Sequence, residues 1–458
     1  MEVQNELFQH LISFAASTEY GKKYQFDSIS SYADFKEKVP LTNYDDLKPY
    51  IDRVMEGEQG LLWPTSTKWF AKSSGTTSTK SKLIPVTRES LEDCHYKGGK
   101  DLLSIYYNNY ENRKLYNGKH LIVGGSAQVN HLSDDSYFGD LSAIIVKNLP
   151  WWAEIRRTPA KEITLMNEWE EKLEKMAHST LDEDVYIIAG VPSWTMVLIK
   201  RVLQLSGKKT LKEVWPNLEL YMHGGVSFEP YRHEFEKLIG FDDMHYVETY
   251  NASEGFFGIQ DKPDNQGLLL MLDYGVFYEF IPMKSFEGTA SKNIVSLDEV
   301  EIGENYALVI STNGGLWRYI VGDTIAFTEL KPYRFKITGR TKSYINTFGE
   351  EVVVENAEKA IAAASKATGA QVRDFHACPV YMNDTTKGAH QWLIEFINHP
   401  NDLRNFQRLL DHTLKDLNSD YEAKRYKDLI LQEPQLKILP TGAFDVWLKS
   451  NNKLGGQN

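Results

Sequence analysis

Short apolar runs separated by helix-length stretches restrict this chain to α/β architecture more firmly than any other feature of its sequence. The runs are Leu121-Ile122-Val123, Val185-Tyr186-Ile187-Ile188 and residues 218–222, 268–272 and 307–310. Each is too short for a stable helix and is bounded by turn-forming residues, the pattern of a buried strand. Residues 168–180 and 192–205 read as helices between them, and strands alternating with helices imply a sheet covered by helices. At the amino end, Phe8, Leu11, Ile12 and Ala15 recur at helical spacing.

The pattern changes twice further on. Residues 274–340 read mostly as strand and turn, which predicts a β-rich subdomain at about 274–338. After Gly339-Arg340-Thr341-Lys342 it resets: a helix from about Val352 to Lys366 ending before Gly369, strands at 372–382 and 391–397, and a helix carrying Leu403, Phe406, Leu410 and Leu414 on one face. A strand at 436–439 and a short helix around 444–448 follow. The expected division is therefore 1–338, a large N-terminal α/β domain, and 339–458, a small α+β domain, with the boundary near 338–342.

Charge and cysteines narrow the function classes. With 51 Lys+Arg against 63 Asp+Glu, the net charge is −12. Nucleic-acid binding normally carries a basic surplus, so no nucleic-acid partner is expected. Cys94 and Cys378 lie far apart without metal-ligand spacing, which argues against structural zinc and a disulfide framework. The first residues lack the basic start and continuous apolar core of a secretory signal, and no segment reaches the ~18 apolar residues of a membrane span. The expectation is a cytoplasmic protein without a membrane partner.

One loop stands out chemically. In Ser73-Ser74-Gly75-Thr76-Thr77-Ser78-Thr79, every residue except the glycine carries a hydroxyl, and Lys80 and Lys82 follow. Hydroxyls and the backbone N–H groups of a glycine turn are suitable donors for phosphate oxygens. The segment lacks the second glycine and the GK[ST] ending of a P-loop. Taken alone, it also fits a polar surface loop.

Four further segments lie downstream. Thr249-Tyr250-Asn251-Ala252-Ser253-Glu254-Gly255 follows a strand-like run, and His223-Gly224-Gly225 ends another. Trp317-Arg318-Tyr319-Ile320-Val321-Gly322-Asp323 precedes Gly339-Arg340-Thr341-Lys342. Each alone also fits a capped strand end or a tight turn. Together with Lys82 and Pro85 they resemble the motifs of the acyl-adenylate-forming superfamily that includes firefly luciferase and acyl-CoA synthetases. More narrowly they resemble the acyl acid amido synthetases of the plant auxin-responsive Gretchen Hagen 3 family and their bacterial relatives. Glu19-Tyr20-Gly21-Lys22, Val39-Pro40-Leu41 and Gly190-Val191-Pro192-Ser193-Trp194 extend the similarity over nearly the whole chain.

The resemblance implies roles. Ser73, Ser74, Gly75, Thr76 and Thr77 would hold the ATP phosphates. Gly224, Gly225, Thr249, Tyr250 and Ser253 would surround the nucleotide, with Tyr250 on adenine. Asp323 would accept from the ribose hydroxyls, and Arg340 would reach ribose or phosphate. Glu254 would hold Mg²⁺, and Glu254 and Lys342 are the catalytic candidates. An acyl pocket would lie near Gly125 and Ser126 and the helix starting at residue 191, with Trp194 either a pocket wall or a core residue. Ile320 departs from the plant pattern, which has arginine there.

The implied reaction is ATP-dependent adenylation of a carboxylic acid followed by acyl transfer to an amino acid amine, by a monomer whose C-terminal lid domain rotates between steps. In these relatives a lysine within a Gln-aromatic-Lys-x-Pro-Arg segment assists adenylation. Here the chain stops at Gly455-Gly456-Gln457-Asn458, and Lys449 and Lys453 lie too early to match. The expectation is a longer natural chain carrying that lysine, and weak adenylation by this one. Two alternatives stand beside the amido synthetase: an acyl-CoA synthetase-like ligase, and a nucleotide- or acyl-binding protein without turnover.

Overall fold

The amino-terminal helix Glu2–Ala15 buries Phe8, Leu11, Ile12 and Ala15, the residues whose spacing predicts it. It also buries Gln4, whose amide nitrogen donates to the carbonyls of Leu272 (2.7 Å) and Val276 (2.9 Å) while its oxygen accepts from Tyr278 N (3.0 Å). A fully buried glutamine is tolerable because those bonds replace the ones water made. The computed structural model describes residues 2–73, 82–124, 130–133, 136–166, 168–226, 228–263, 267–341, 344–345, 347–350, 352–382 and 387–450.

Two compact units divide the chain. The first comprises the residues up to Ser73, then Lys82–Gly225 and Lys237–Thr341; the second takes Val226–Glu236 and the chain after Thr341. In the first unit, β1 (Trp69–Ser73) and β2 (Lys82–Val86) pair antiparallel, with Ser73 opposite Lys82. Strand β3 (Lys119–Val123) follows. Strands β4 (Asn130–Ser133) and β5 (Ser136–Asp140) complete a small sheet ordered β2-β1-β5-β4.

A central sheet dominates this unit. Its remaining strands are β6 (Arg157–Thr158), β7 (Val185–Gly190), β8 (Leu220–Gly224), β9 (His245–Ala252), β10 (Gly255–Ile259), β11 (Leu268–Leu270), β12 (Val276–Pro282), β13 (Val295–Ser296), β14 (Asn305–Thr312), β15 (Tyr319–Leu330) and β16 (Tyr333–Arg340). They form one 12-stranded sheet ordered β13-β12-β14-β15-β16-β11-β10-β9-β8-β7-β3-β6. Strands β6, β3, β7, β8 and β9 run parallel, and from β9 onward every pairing is antiparallel. The β-rich stretch thus extends the parallel sheet. Helices Trp169–Thr180 and Pro192–Ser206 lie where the sequence places them.

In the second unit, β17 (Tyr344–Ile345) pairs with β18 (Val352–Val353). Helix Val354–Thr368 then ends at Gly369, whose φ of +69° supplies the left-handed cap that glycine favours. Strands β19 (Gln371–Val380), β20 (Ala389–Asn398) and β21 (Gln435–Leu439) make a three-stranded sheet, β19-β20 antiparallel and β20-β21 parallel. Helix Leu403–Leu417 buries Phe406, Leu410 and Leu414. Among the described residues, no helix is long and apolar enough to cross a membrane.

Candidate active site

Strand β9 is where the parallel half of the central sheet meets the antiparallel half. Crevices at the carboxyl ends of parallel strands are the usual ligand sites of α/β sheets. Three of the sequence motifs end there. Strand β8 finishes at Gly224, opposite Thr249 of β9. A side chain at 224 would place its Cβ 2.4 Å from the Thr249 carbonyl oxygen, and Gly225 turns at a φ of +81°. These glycines are therefore fixed by close backbone approach and by a left-handed turn. Thr249 Oγ1 donates back to the His223 carbonyl at 3.2 Å.

Glu254 sits at the tip of the β9–β10 hairpin. Ala252 pairs with Gly255, leaving Ser253 and Glu254 as a two-residue turn. Such tight turns fix the direction of what they carry. Glu254 is partly buried and densely surrounded. Burial pushes its pKa up, while the charges of Lys82 and then Arg340 pull it down. Lys82 is itself buried, with Nζ 3.5 Å from the Tyr319 hydroxyl.

Asp323 lies on β15, opposite Arg340 on β16. Arg340 Nε is 2.8 Å from Asp323 Oδ1, and the Tyr250 hydroxyl donates to Asp323 Oδ2. A carboxylate offers about four acceptor positions, so two remain for a ligand's hydroxyls. Tyr250 is 7% exposed, and its ring packs edge-on against Phe257 at 4.9 Å and near Phe335 at 6.1 Å. Burial first, and the Asp323 charge second, drive its pKa well up, so the phenol keeps its proton and donates. What the tyrosine visibly does is orient Asp323, with little open face left for a base.

Arg318 does not supply the guanidinium that Ile320 lacks. Its φ is +44°, and its side chain turns inward onto Glu279 (Nη2 to Oε1 2.8 Å, Nε to Oε2 2.9 Å) and the Val39 carbonyl (2.7 Å). The Tyr32 hydroxyl completes the carboxylate's bonding at 2.9 Å. Ile320 joins an apolar cluster with Leu41, Ile281, Ala307 and Val309.

Lys82, Tyr250, Glu254, Tyr319, Asp323 and Arg340 thus form one cluster in the first unit. Ser73 ends β1 opposite Lys82, and Ser253 shares the hairpin turn with Glu254. Trp194 is buried in the first turn of helix Pro192–Ser206. Ser74, Gly75, Thr76, Thr77, Gly125, Ser126 and Lys342, and the chain from 451 onward, lie outside the described residues. Tyr319 joins the cluster without having been a candidate, and Lys82, expected only as added charge beside the loop, is buried within it. A lysine inside the apolar run Lys82-Leu83-Ile84-Pro85-Val86 was the available signal for the latter.

Residues 1–244 match the GH3 family N-terminal domain, 269–340 the GH3 family central domain and 355–458 the GH3 family C-terminal domain. This chain belongs to the GH3 family. Among family members, indole-3-acetic acid-amido synthetase GH3.3 of Arabidopsis thaliana is 23% identical over 97% of this chain and 85% of its own length. The 4-substituted benzoates-glutamate ligase GH3.12 of the same plant is 22% identical, covering 97% and 88%. The solved structure of GH3.15 acyl acid amido synthetase superposes with a TM-score of 0.64 at 20% identity, over 100% of this chain and 89% of that one. The fold is therefore the acyl-adenylate-forming one, in its GH3 version.

Proposed function

We propose that this chain is an ATP-dependent acyl acid amido synthetase: it converts a carboxylic acid to its acyl-adenylate, releasing pyrophosphate, and passes the acyl group to an amino acid, releasing AMP. The observation that carries this reading is the convergence of Glu254, Asp323, Arg340 and Lys82 in one cluster, within segments that resemble the family's nucleotide motifs. Asp323, aimed by Tyr250 and Arg340, accepts from the ribose hydroxyls. Thr249, Gly224 and Gly225 form the wall against the adenylate, and Ser253 supplies a donor beside it. The loop from Ser73 through Thr77 receives the outer phosphates.

Among the described residues no three metal-ligating side chains cluster. One carboxylate together with substrate phosphates is nonetheless how Mg²⁺ is commonly held, and partly buried Glu254 fits that role. Mg²⁺ would neutralise phosphate charge there. Lys82 and Arg340 add fixed positive charge, and such preorganised electrostatics are the main lever on transfer at phosphorus. In the first step the acid's carboxylate oxygen bonds to the α-phosphorus as the bond to pyrophosphate breaks. In the second, the amine nitrogen bonds to the acyl carbon, loses a proton, and AMP departs.

The C-terminal unit serves as the lid and swivels about 339–342 between the steps, with Lys342 among the residues it brings in. Trp194, with Gly125 and Ser126, borders the acyl pocket. We place the enzyme in the cytosol, where Cys94 and Cys378, both free, remain reduced, and as a monomer.

Acid-dependent exchange of labelled pyrophosphate into ATP tests the reading, run across indole, benzoate, jasmonate-like and fatty acids. Exchange that appears with one acid class and is lost in Asp323→Ala supports it. ATP binding without exchange for any acid would favour a binding protein.

A further inference from the structure

The helix after β2 leaves α-helical geometry after residues 88–89. Residues Ser90–Tyr96 form a π-helical segment that continues into the α-helix Lys97–Asn109. Wider turns of this kind have poorer hydrogen bonding, so they persist where they serve a geometric purpose, frequently at functional sites. The geometry here is specific. Two consecutive side chains, Cys94 and His95, are both buried, and both reach the hairpin that carries Glu254. Phe256 N donates to Cys94 Sγ at 3.1 Å, and His95 Nδ1 lies 2.9 Å from Asn251 Oδ1.

The two targets are a matched pair. Asn251 on β9 and Phe256 on β10 are register partners, and the next pair along, Ala252 with Gly255, closes the turn holding Ser253 and Glu254. The π segment therefore grips both strands of the hairpin one rung behind its tip. Both grips are uncharged. Burial pushes the His95 imidazole down to about 4 and the Cys94 thiol up to about 12. Asn251 Oδ1 only accepts, so Nδ1 is the protonated ring nitrogen. The clamp thus adds no charge to compete for the carboxylate.

We propose that Cys94 and His95 are positioning residues: they fix the β9–β10 hairpin so that Glu254 is held where it can share Mg²⁺ with the phosphates of ATP. This rests on reading Glu254 as the metal carboxylate. A clamp that acts through Glu254 loosens the metal contribution to nucleotide binding and leaves nucleotide binding itself in place. A residue that merely packs changes both, or neither.

Calorimetric titration of the full chain with ATP, in excess Mg²⁺ and in EDTA, separates these outcomes for the unaltered protein, His95→Asn, Glu254→Gln and the double variant. In the unaltered protein Mg²⁺ tightens ATP binding. Glu254→Gln abolishes that tightening, and His95→Asn reduces it by about 10- to 100-fold, the usual effect of losing a group that supports a metal ligand. Affinity in EDTA stays the same, and the double variant matches Glu254→Gln. A His95→Asn protein with undiminished Mg²⁺ tightening, or with equal losses in Mg²⁺ and EDTA, overturns the clamp while the Glu254 assignment stands. Tightening that survives in Glu254→Gln overturns that assignment and the clamp with it. If His95→Asn does not fold, Cys94→Ala takes its place with the same expectations.

Discussion

Glu279 occupies the middle of a strand with no exposed position, and it is tolerated there because Arg318 meets it with three bonds while Tyr32 adds a fourth. Removing one partner of a buried pair strands the other charge. Glu279→Ala should therefore cost about 3–5 kcal/mol, read as a fall in the urea midpoint; an unchanged midpoint would show that the pair is not buried as described. Arg318 was visible in the sequence as a motif arginine, but its destination was not. A non-glycine residue at positive φ has no compositional signal, and the inward turn follows from contacts with residues far away in sequence. Asp323, Glu254 and Gly224 were legible as candidates because their chemistry is written in residue type. The orienting role of Tyr250 was not, because burial of its ring depends on Phe257 and Phe335.

His95 makes a pH-dependent prediction at the same scale. Burial lowers its folded pKa from 6.5 to about 4, and only the Asn251 hydrogen bond opposes this. Above pH 6.5 the imidazole is neutral in both states, and its contribution to stability is complete. As pH falls from 6.5 toward 4 the unfolded chain takes up a proton that the folded chain refuses, so stability declines by up to about 3 kcal/mol. Thermal midpoints of the unaltered protein should drop across that window, and the slope should be shallower in His95→Asn. Parallel slopes would contradict the assignment.

At the level of elements, helix boundaries were legible and strand partners were not. The Val354–Thr368 helix with its Gly369 cap lies within two residues of the expected one, because periodicity and a capping glycine are local signals. That β11 separates β16 from β10, and that the antiparallel strands extend the parallel ones, depends on pairings across long stretches of chain that no local pattern encodes. The π segment was equally invisible. Two glycines test the packing argument from opposite sides. Gly224→Ala puts a methyl against the Thr249 carbonyl, which must push β8 from β9; we expect a loss of about 1–3 kcal/mol and of ATP-dependent thermal stabilisation. Gly99 is exposed in the helix Lys97–Asn109 with nothing near its missing Cβ, so Gly99→Ala should stabilise by about 0.4–1 kcal/mol and leave ATP binding unchanged.

At the scale of the whole molecule, we propose that the first unit recognises the nucleotide and carries its chemistry, and that the second provides the change between half-reactions. The second unit is not a simple tail: it includes Val226–Glu236, and the Tyr231 hydroxyl donates to the Thr347 carbonyl at 2.6 Å. Family membership was legible because motif order and spacing survive at low identity. The acid and the amine were not, because pocket shape is set by side chains from several distant elements. The central claim is that one site makes an acyl-adenylate and spends it on an amine. Mass spectrometry of a complete reaction tests it most directly, with ATP, Mg²⁺, mixed amino acids and the acid that drives pyrophosphate exchange. The account predicts an acyl–amino acid amide formed in step with AMP, lost in Glu254→Gln and Asp323→Ala. Formation of ADP in place of AMP, or of a thioester with coenzyme A and no amide, would contradict it.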